Sequence, residues 1–149
     1  MSASSVEDRI KTFQDEYLKC RRNEEAAGAC EFQNIVRNEI CKEIGKTHGK
    51  TQAYIADVLG LSPSAISKIK SEKPYFSPYT FKLSLKLSLF AASNVERFLE
   101  LMRYSGHCIE KYDIYSDQMK MLSYAISIYS IGTFNWEERI SYIRMKYEL

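Results

Sequence analysis

A chain of 149 residues, 45% hydrophobic and 27% charged, is long enough for one compact domain and too apolar for wholesale disorder. A net charge of +2 excludes a polybasic binder that works by bulk charge. Six glycines and three prolines, with no dominant turn-punctuated alternation, point to an all-α chain. The four cysteines (Cys20, Cys30, Cys41, Cys108) form no CxxC or Cys/His zinc spacing, so no metal or other cofactor is expected and the thiols are expected to be reduced and mostly buried. The start, MSASSVEDRI, has no apolar signal region, and no apolar run is long enough to cross a bilayer; a soluble protein of the cytosol, without membrane partners, is expected.

In chain order, Val6, Ile10, Phe13, Tyr17 and Leu18 have near-helical spacing over 6–22, with Ser5 as cap and Asp8 in the capping-box position. The polar, small-residue stretch 23–29 is expected to end this helix or join it loosely to a second at 31–46, where Phe32, Ile35, Val36, Ile40 and Ile44 line one stripe. A polar turn at 47–50 leads to short helices at 52–59 and 63–71. Pro74 and Pro78 then mark a loop. The next segment, FKLSLKLSLF, alternates apolar and polar, which alone signals a strand. Ser77 as N-cap with Pro78 at N1, and Phe81, Leu85 and Leu89 four apart, favour a helix to about 92. Asn94 caps a helix to about 104, with Val95, Phe98, Leu99 and Met102 inward. Residues 113–130 place Met119, Leu122, Ala125, Ile126 and Tyr129 on one face, and Gly132 breaks that helix. Asn135 caps the last helix, with Trp136, Ile140, Ile143 and Tyr147 inward and Glu137 and Glu138 as solvated first-turn acids. His107-Cys108 lacks an oxyanion hole or acid partner, and no catalytic residue is expected.

Chemistry concentrates in TQAYIADVLGLSPSAISKIK at 51–70. Thr51 caps the first short helix, Ile55 and Leu59 face inward, and Ala56 is small where two helices cross. Gly60 supplies a positive φ for a tight turn, Leu61 plugs that turn into the core, Ser62 caps the second helix and Pro63 opens it. Ile66 and Ile69 bury its inner face. The outer face, Pro63, Ser64, Ser67, Lys68 and Ser71, is small or cationic and free of acids, as entry to a major groove requires. Around it, residues 46–86 carry seven lysines against Asp57 and Glu72, a local +5 in a near-neutral chain.

These residues closely resemble the Cro and phage-repressor (lambda repressor-like, XRE) type of helix-turn-helix domain. The match covers about 31–104, through Gln52, Ala56 and Gly60 followed by apolar 61, 66 and 69, and Ser77-Pro78-Tyr79-Thr80 to Leu83 is similar to the segment after the recognition helix in such domains. The resemblance implies a five-helix bundle at 30–104, flanked by an N-terminal amphipathic helical extension, 1–29, and a C-terminal one, 105–149. It implies base-edge contacts from Ser64, Ser67 and Lys68, and phosphate contacts from Lys50, Thr51, Gln52, Lys70, Lys73 and Tyr79. It implies a transcriptional regulator, a bacterial or phage repressor that binds a pseudo-palindromic double-stranded operator as a homodimer. The serine-rich outer face departs from the Gln, Asn or Arg usual for bidentate readout, which points to water-mediated or shape-based specificity. The second expectation, from a different class, is a protein-interaction or inhibitor module, such as a phage anti-CRISPR-like factor, that keeps the fold and uses the aromatic C-terminal helices, with Trp136 and Tyr147 among them.

Overall fold

The structure, a computed structural model, describes residues 5–46, 49–71 and 79–149, with side chains for all of these except 17–26. Among the described residues it is all-helical: α1 (Val6–Ile44), α2 (Gln52–Leu59), α3 (Pro63–Lys70), α4 (Phe81–Ala91), α5 (Val95–Tyr104), α6 (Asp117–Ile131) and α7 (Trp136–Tyr147), with one 3-10 turn at Ile109–Lys111. No helix among the described residues is long and apolar enough to cross a membrane.

The first two expected helices are one. α1 runs 39 residues without a break at 23–29, because the two Glu and three Ala residues there are good helix formers and outweigh Asn23 and Gly28. Gly28 serves packing. A Cβ on it would stand 2.8 Å from the Tyr104 carbonyl oxygen, so its bare backbone lets the end of α5 approach α1. The expected boundary at 29/30 therefore falls inside a helix. The stripe Phe32, Val36 and Ile40 is fully buried.

α4 is the central helix, packed on α1, α5, α6 and α7. The strand-like alternation has a helical explanation. Residues two apart in a helix sit about 200° apart, so Leu83, Leu85, Leu87 and Leu89 spread around the circumference. A helix apolar on all sides belongs inside, and everything from Ser84 to Phe90 is buried, Lys86 included. Thr80 caps α4 through the Leu83 N–H, in place of the expected Ser77 and Pro78, which lie outside the described residues. On α5 the buried set is Phe98, Leu101 and Met102, with Val95 and Leu99 flanking it. On α6 it is Leu122, Ala125 and Ile128.

The C-terminal helices pack on the bundle. Leu122, Ala125, Ile128, Trp136, Ile140 and Ile143 join the core that holds Phe32, Ile55, Ile66 and Leu87. α7 begins with the expected Asn135 capping box, completed by Glu138. It then supplies two arginines that finish other helices. The last carbonyls of a helix lack partners of their own. Arg139 is buried and donates to Leu89 O at 2.7 Å and Phe90 O at 3.3 Å, the end of α4, and also to Phe134 O. Arg144 donates to Val58 O at 2.8 Å and Asp57 O at 3.3 Å, the end of α2. Tyr129 of α6 donates to Ala92 O at 2.8 Å, and burial pushes its phenol up to about 12.

His107 links the C-terminal segment to the residue before Thr80. Its Nε2–H donates to Tyr79 O at 2.7 Å while Nδ1 accepts from the Tyr112 hydroxyl. Burial pulls its imidazole below the ordinary 6.5, outweighing the carbonyl's opposite effect, and Lys111 adds to the fall. The unfolded chain then binds a proton more readily, so the His107 contribution is complete above pH 6.5 and is lost as pH falls toward the lower folded value. The melting temperature is expected to drop between pH 7 and pH 5, above the carboxylate range, and His107→Gln is expected to flatten that drop. A wild-type melting temperature level across the window would contradict it.

Candidate functional site

The site is built on α2, the turn 60–62 and α3. Thr51 accepts from the Tyr54 N–H and caps α2. Gly60 takes φ 67° and ψ 36°, the left-handed conformation the turn requires, and a Cβ there would also meet the Arg144 guanidinium at 2.9 Å. Ser62 caps α3 through the Ala65 N–H, with Pro63 at its first turn. Ile55, Ala56, Leu59, Ile66 and Ile69 hold the two helices to the core.

Ser64, Ser67 and Lys68 face outward and are exposed together. The N-terminus of α2 joins the same surface. Gln52 donates through Nε2 to Ser67 Oγ at 3.0 Å and accepts from Lys70 Nζ at 3.1 Å. Five of the expected contact residues, Thr51, Gln52, Ser67, Lys68 and Lys70, thus lie on or beside one polar, cationic patch, and Ser64 continues it at the start of α3, where its hydroxyl meets that of Ser62 at 3.1 Å. Outward N–H groups at the start of α2 add a local positive potential suited to anions.

Comparison of the chain with protein-family models, with curated proteins and with solved structures finds no match.

Three expected contributors behave differently. Tyr79 is 3% exposed, its ring edge-on to Phe32 at 4.9 Å, so it is a core residue and cannot reach a phosphate from that position. Lys73 lies outside the described residues. Lys50 is half-buried and ion-paired to Glu137 at the start of α7. Glu137 is therefore not a solvated acid: it also accepts from the Tyr54 hydroxyl at 2.6 Å. Burial pushes its carboxyl up, but hydrogen bonds from Lys50 and Tyr54, helped by the charges of Lys50 and Lys46, outweigh this and hold it below the ordinary value. The same bond to Glu137 pushes the Tyr54 phenol up.

The local +5 overstates the exposed positive face. Lys46 pairs with Glu43, Lys50 with Glu137, and Lys86 is buried, where desolvation and the charge of Arg144 lower its ammonium. Lys68 and Lys70 are what α3 presents.

Gln33 supports the site without a clear mark in the sequence. It is 3% exposed on α1, and its Nε2 lies 3.4, 3.4 and 3.2 Å from the carbonyls of Lys68, Ile69 and Ser71, fastening the end of α3 to α1. Its only sequence signal is a polar side chain beside an apolar stripe. Two surface expectations also change. Trp136 and Tyr147, inward by helical spacing but on a partner-binding surface in the second expectation, follow the spacing: Trp136 is 7% exposed and packs on Phe90 at 4.8 Å, while Tyr147 is partly buried edge-on to Tyr124. Cys30 and Cys41, expected to be buried, are exposed thiols on α1.

Proposed function

We propose that this chain is a double-stranded DNA-binding transcriptional regulator of the Cro and phage-repressor type, a bacterial or phage repressor in which α2–turn–α3 is the helix-turn-helix and α3 enters the major groove. The observation that carries the reading is the hydrogen-bonded continuity between the N-terminus of α2 and the outer face of α3, through Gln52 to Ser67 and Lys70. A helix-turn-helix needs these two surfaces together, one on phosphates and one on base edges. In this reading Ser64, Ser67 and Lys68 reach base edges, while Thr51, Gln52 and Lys70 hold phosphates. Lys68 supplies the strong donor to guanine, and the serines read through water or shape.

The test is fluorescence anisotropy with duplex DNA from upstream of the gene, across a salt series, for wild type and Lys68→Ala. Sequence-selective binding that weakens steeply with salt is expected, with a loss of about 1–3 kcal/mol in the variant. Binding that ignores sequence and is unchanged by the substitution would reject the reading in favour of a protein partner.

Glu137 modulates this face. It occupies Lys50 as a phosphate would, so DNA must share or displace it. Glu137→Gln is expected to tighten duplex binding by up to about fivefold, the scale of one partly exposed ion pair, and Lys50→Ala is expected to abolish that gain. Equal tightening in the Lys50→Ala background would show that Lys50 is not the group released.

A further inference from the structure

α1 is longer than the bundle uses. Its fully buried stripe begins at Phe32, whereas every residue from Ser5 to Glu16 is exposed. Val6, Ile10 and Phe13 stand 72%, 52% and 75% exposed on this arm. Single exposed apolar residues need no explanation. These three recur at intervals of four and three, so they fall on one stripe of the helix, the spacing of a coiled-coil seam. A helical arm with no tertiary support is marginal in water. Its start is nevertheless specified, by the Ser5 cap on the Asp8 N–H and by Glu7 and Asp8 in the first turn.

From this stripe and the charges beside it we infer that the arm pairs antiparallel with the same arm of a second copy of the chain. With Val6 and Phe13 at one kind of seam position and Ile10 at the other, Arg9 and Glu16 flank the seam on one side, and Glu7 and Gln14 on the other. An antiparallel pair sets each flank against the same flank of the partner. Centring it between residues 10 and 13 places Ile10 of one protomer on Phe13 of its partner, and Arg9 of one opposite Glu16 of the other. The two-fold axis repeats both contacts. Glu7 then faces Gln14, so no like charges meet. A parallel pair would oppose Arg9 to Gln14 and lose the charge match.

The geometry leaves room for the bundles. An overlap centred there spans about a dozen residues, roughly 18 Å, and α1 continues as helix through Gly28 before the buried stripe begins, so the two bundles lie at opposite ends of the pair. The pairing stands apart from the proposed DNA activity, although it would give a regulator its two half-site contacts. Three apolar side chains per arm fall short of a standard interface of about 1,600 Å², so the dimer is a weak, concentration-dependent one.

Sedimentation equilibrium of the full chain without DNA tests this. Wild type is expected to show a monomer–dimer equilibrium in the micromolar range, and Phe13→Glu a monomer. The arm lies outside the core, so an unchanged thermal melt shows that the variant is folded. Arg9→Glu and Glu16→Arg each set like charges opposite one another twice and are expected to weaken the dimer about tenfold. The double swap restores opposite charges and is expected to recover wild-type association. A wild type that stays monomeric, or a Phe13→Glu variant that still dimerises, overturns the arm as the interface. A double swap no better than the single ones overturns the antiparallel register.

Discussion

A chain ending at Thr133 is expected to lose cooperative folding. The deletion removes α7 and with it Trp136, Ile140 and Ile143, which are 7%, 0% and 0% exposed. Burying three such side chains contributes about 5–8 kcal/mol, comparable with the whole stability of a domain, about 5–15 kcal/mol. The cut also strips Arg139 from the end of α4 and Arg144 from the end of α2, leaving backbone carbonyls without those donors. Circular-dichroism melts of residues 1–133 are expected to be broad, without the sigmoidal transition of the full chain. A sharp melt near the full-length temperature would mean that α7 is a dispensable attachment. Deleting residues 1–16 is the matching control: none of the described residues removed is buried, and the bundle's melt is expected to stay in place.

The difference between those two ends is not visible in the sequence. Periodicity along α7 correctly marks Trp136, Ile140 and Ile143 as a buried face, but a buried stripe does not say what covers it. The same periodicity makes Val6, Ile10 and Phe13 look like an inward face, and they stand in solvent. Where local chemistry decides, sequence and structure agree closely. The bounds of α2 match to the residue and those of α3 to within one, because Thr51, Gly60, Ser62 and Pro63 act on their own backbone neighbours. Where a distant partner decides, they part. Gly28 looks like a helix end unless the carbonyl of Tyr104 is known to press on it. Glu137 looks solvated unless Lys50 and Tyr54 are known to face it. The candidate patch divides the same way. Ser64, Ser67 and Lys68 follow from helical phase, whereas the burial of Tyr79 and the pairing of Lys50 are set by α1 and α7.

Arg139→Ala is expected to be the most destabilising substitution of a polar or charged side chain on α7. The residue is 6% exposed, and its guanidinium donates to three carbonyls from two segments, Leu89 and Phe90 at the end of α4 and Phe134 just before α7. It also lies 5.6 Å from the centre of the Tyr129 ring, which packs the charge against an aromatic face. Desolvation lowers the affinity of the guanidinium for its proton, while the neighbouring Tyr129 and Glu39 act the other way. The group stays charged, because the ordinary arginine value lies far above neutral pH. Hydrogen bonds from a charged donor are worth about 1.5–3 kcal/mol each, and a buried carbonyl left without a partner costs about 1–3 kcal/mol. The bonds share one side chain and are not additive, so a loss of about 3–4 kcal/mol is expected, which lowers the melting temperature by roughly 10 °C in a chain of this size. Arg139→Lys separates charge from geometry. An ammonium keeps the charge but cannot present the planar fork that reaches Leu89, Phe90 and Phe134 together, so lysine is expected to recover less than half of the loss. Full recovery by lysine would mean that charge alone is needed at this position. An alanine variant as stable as wild type would mean that the end of α4 is held by its apolar contacts and not by this capping.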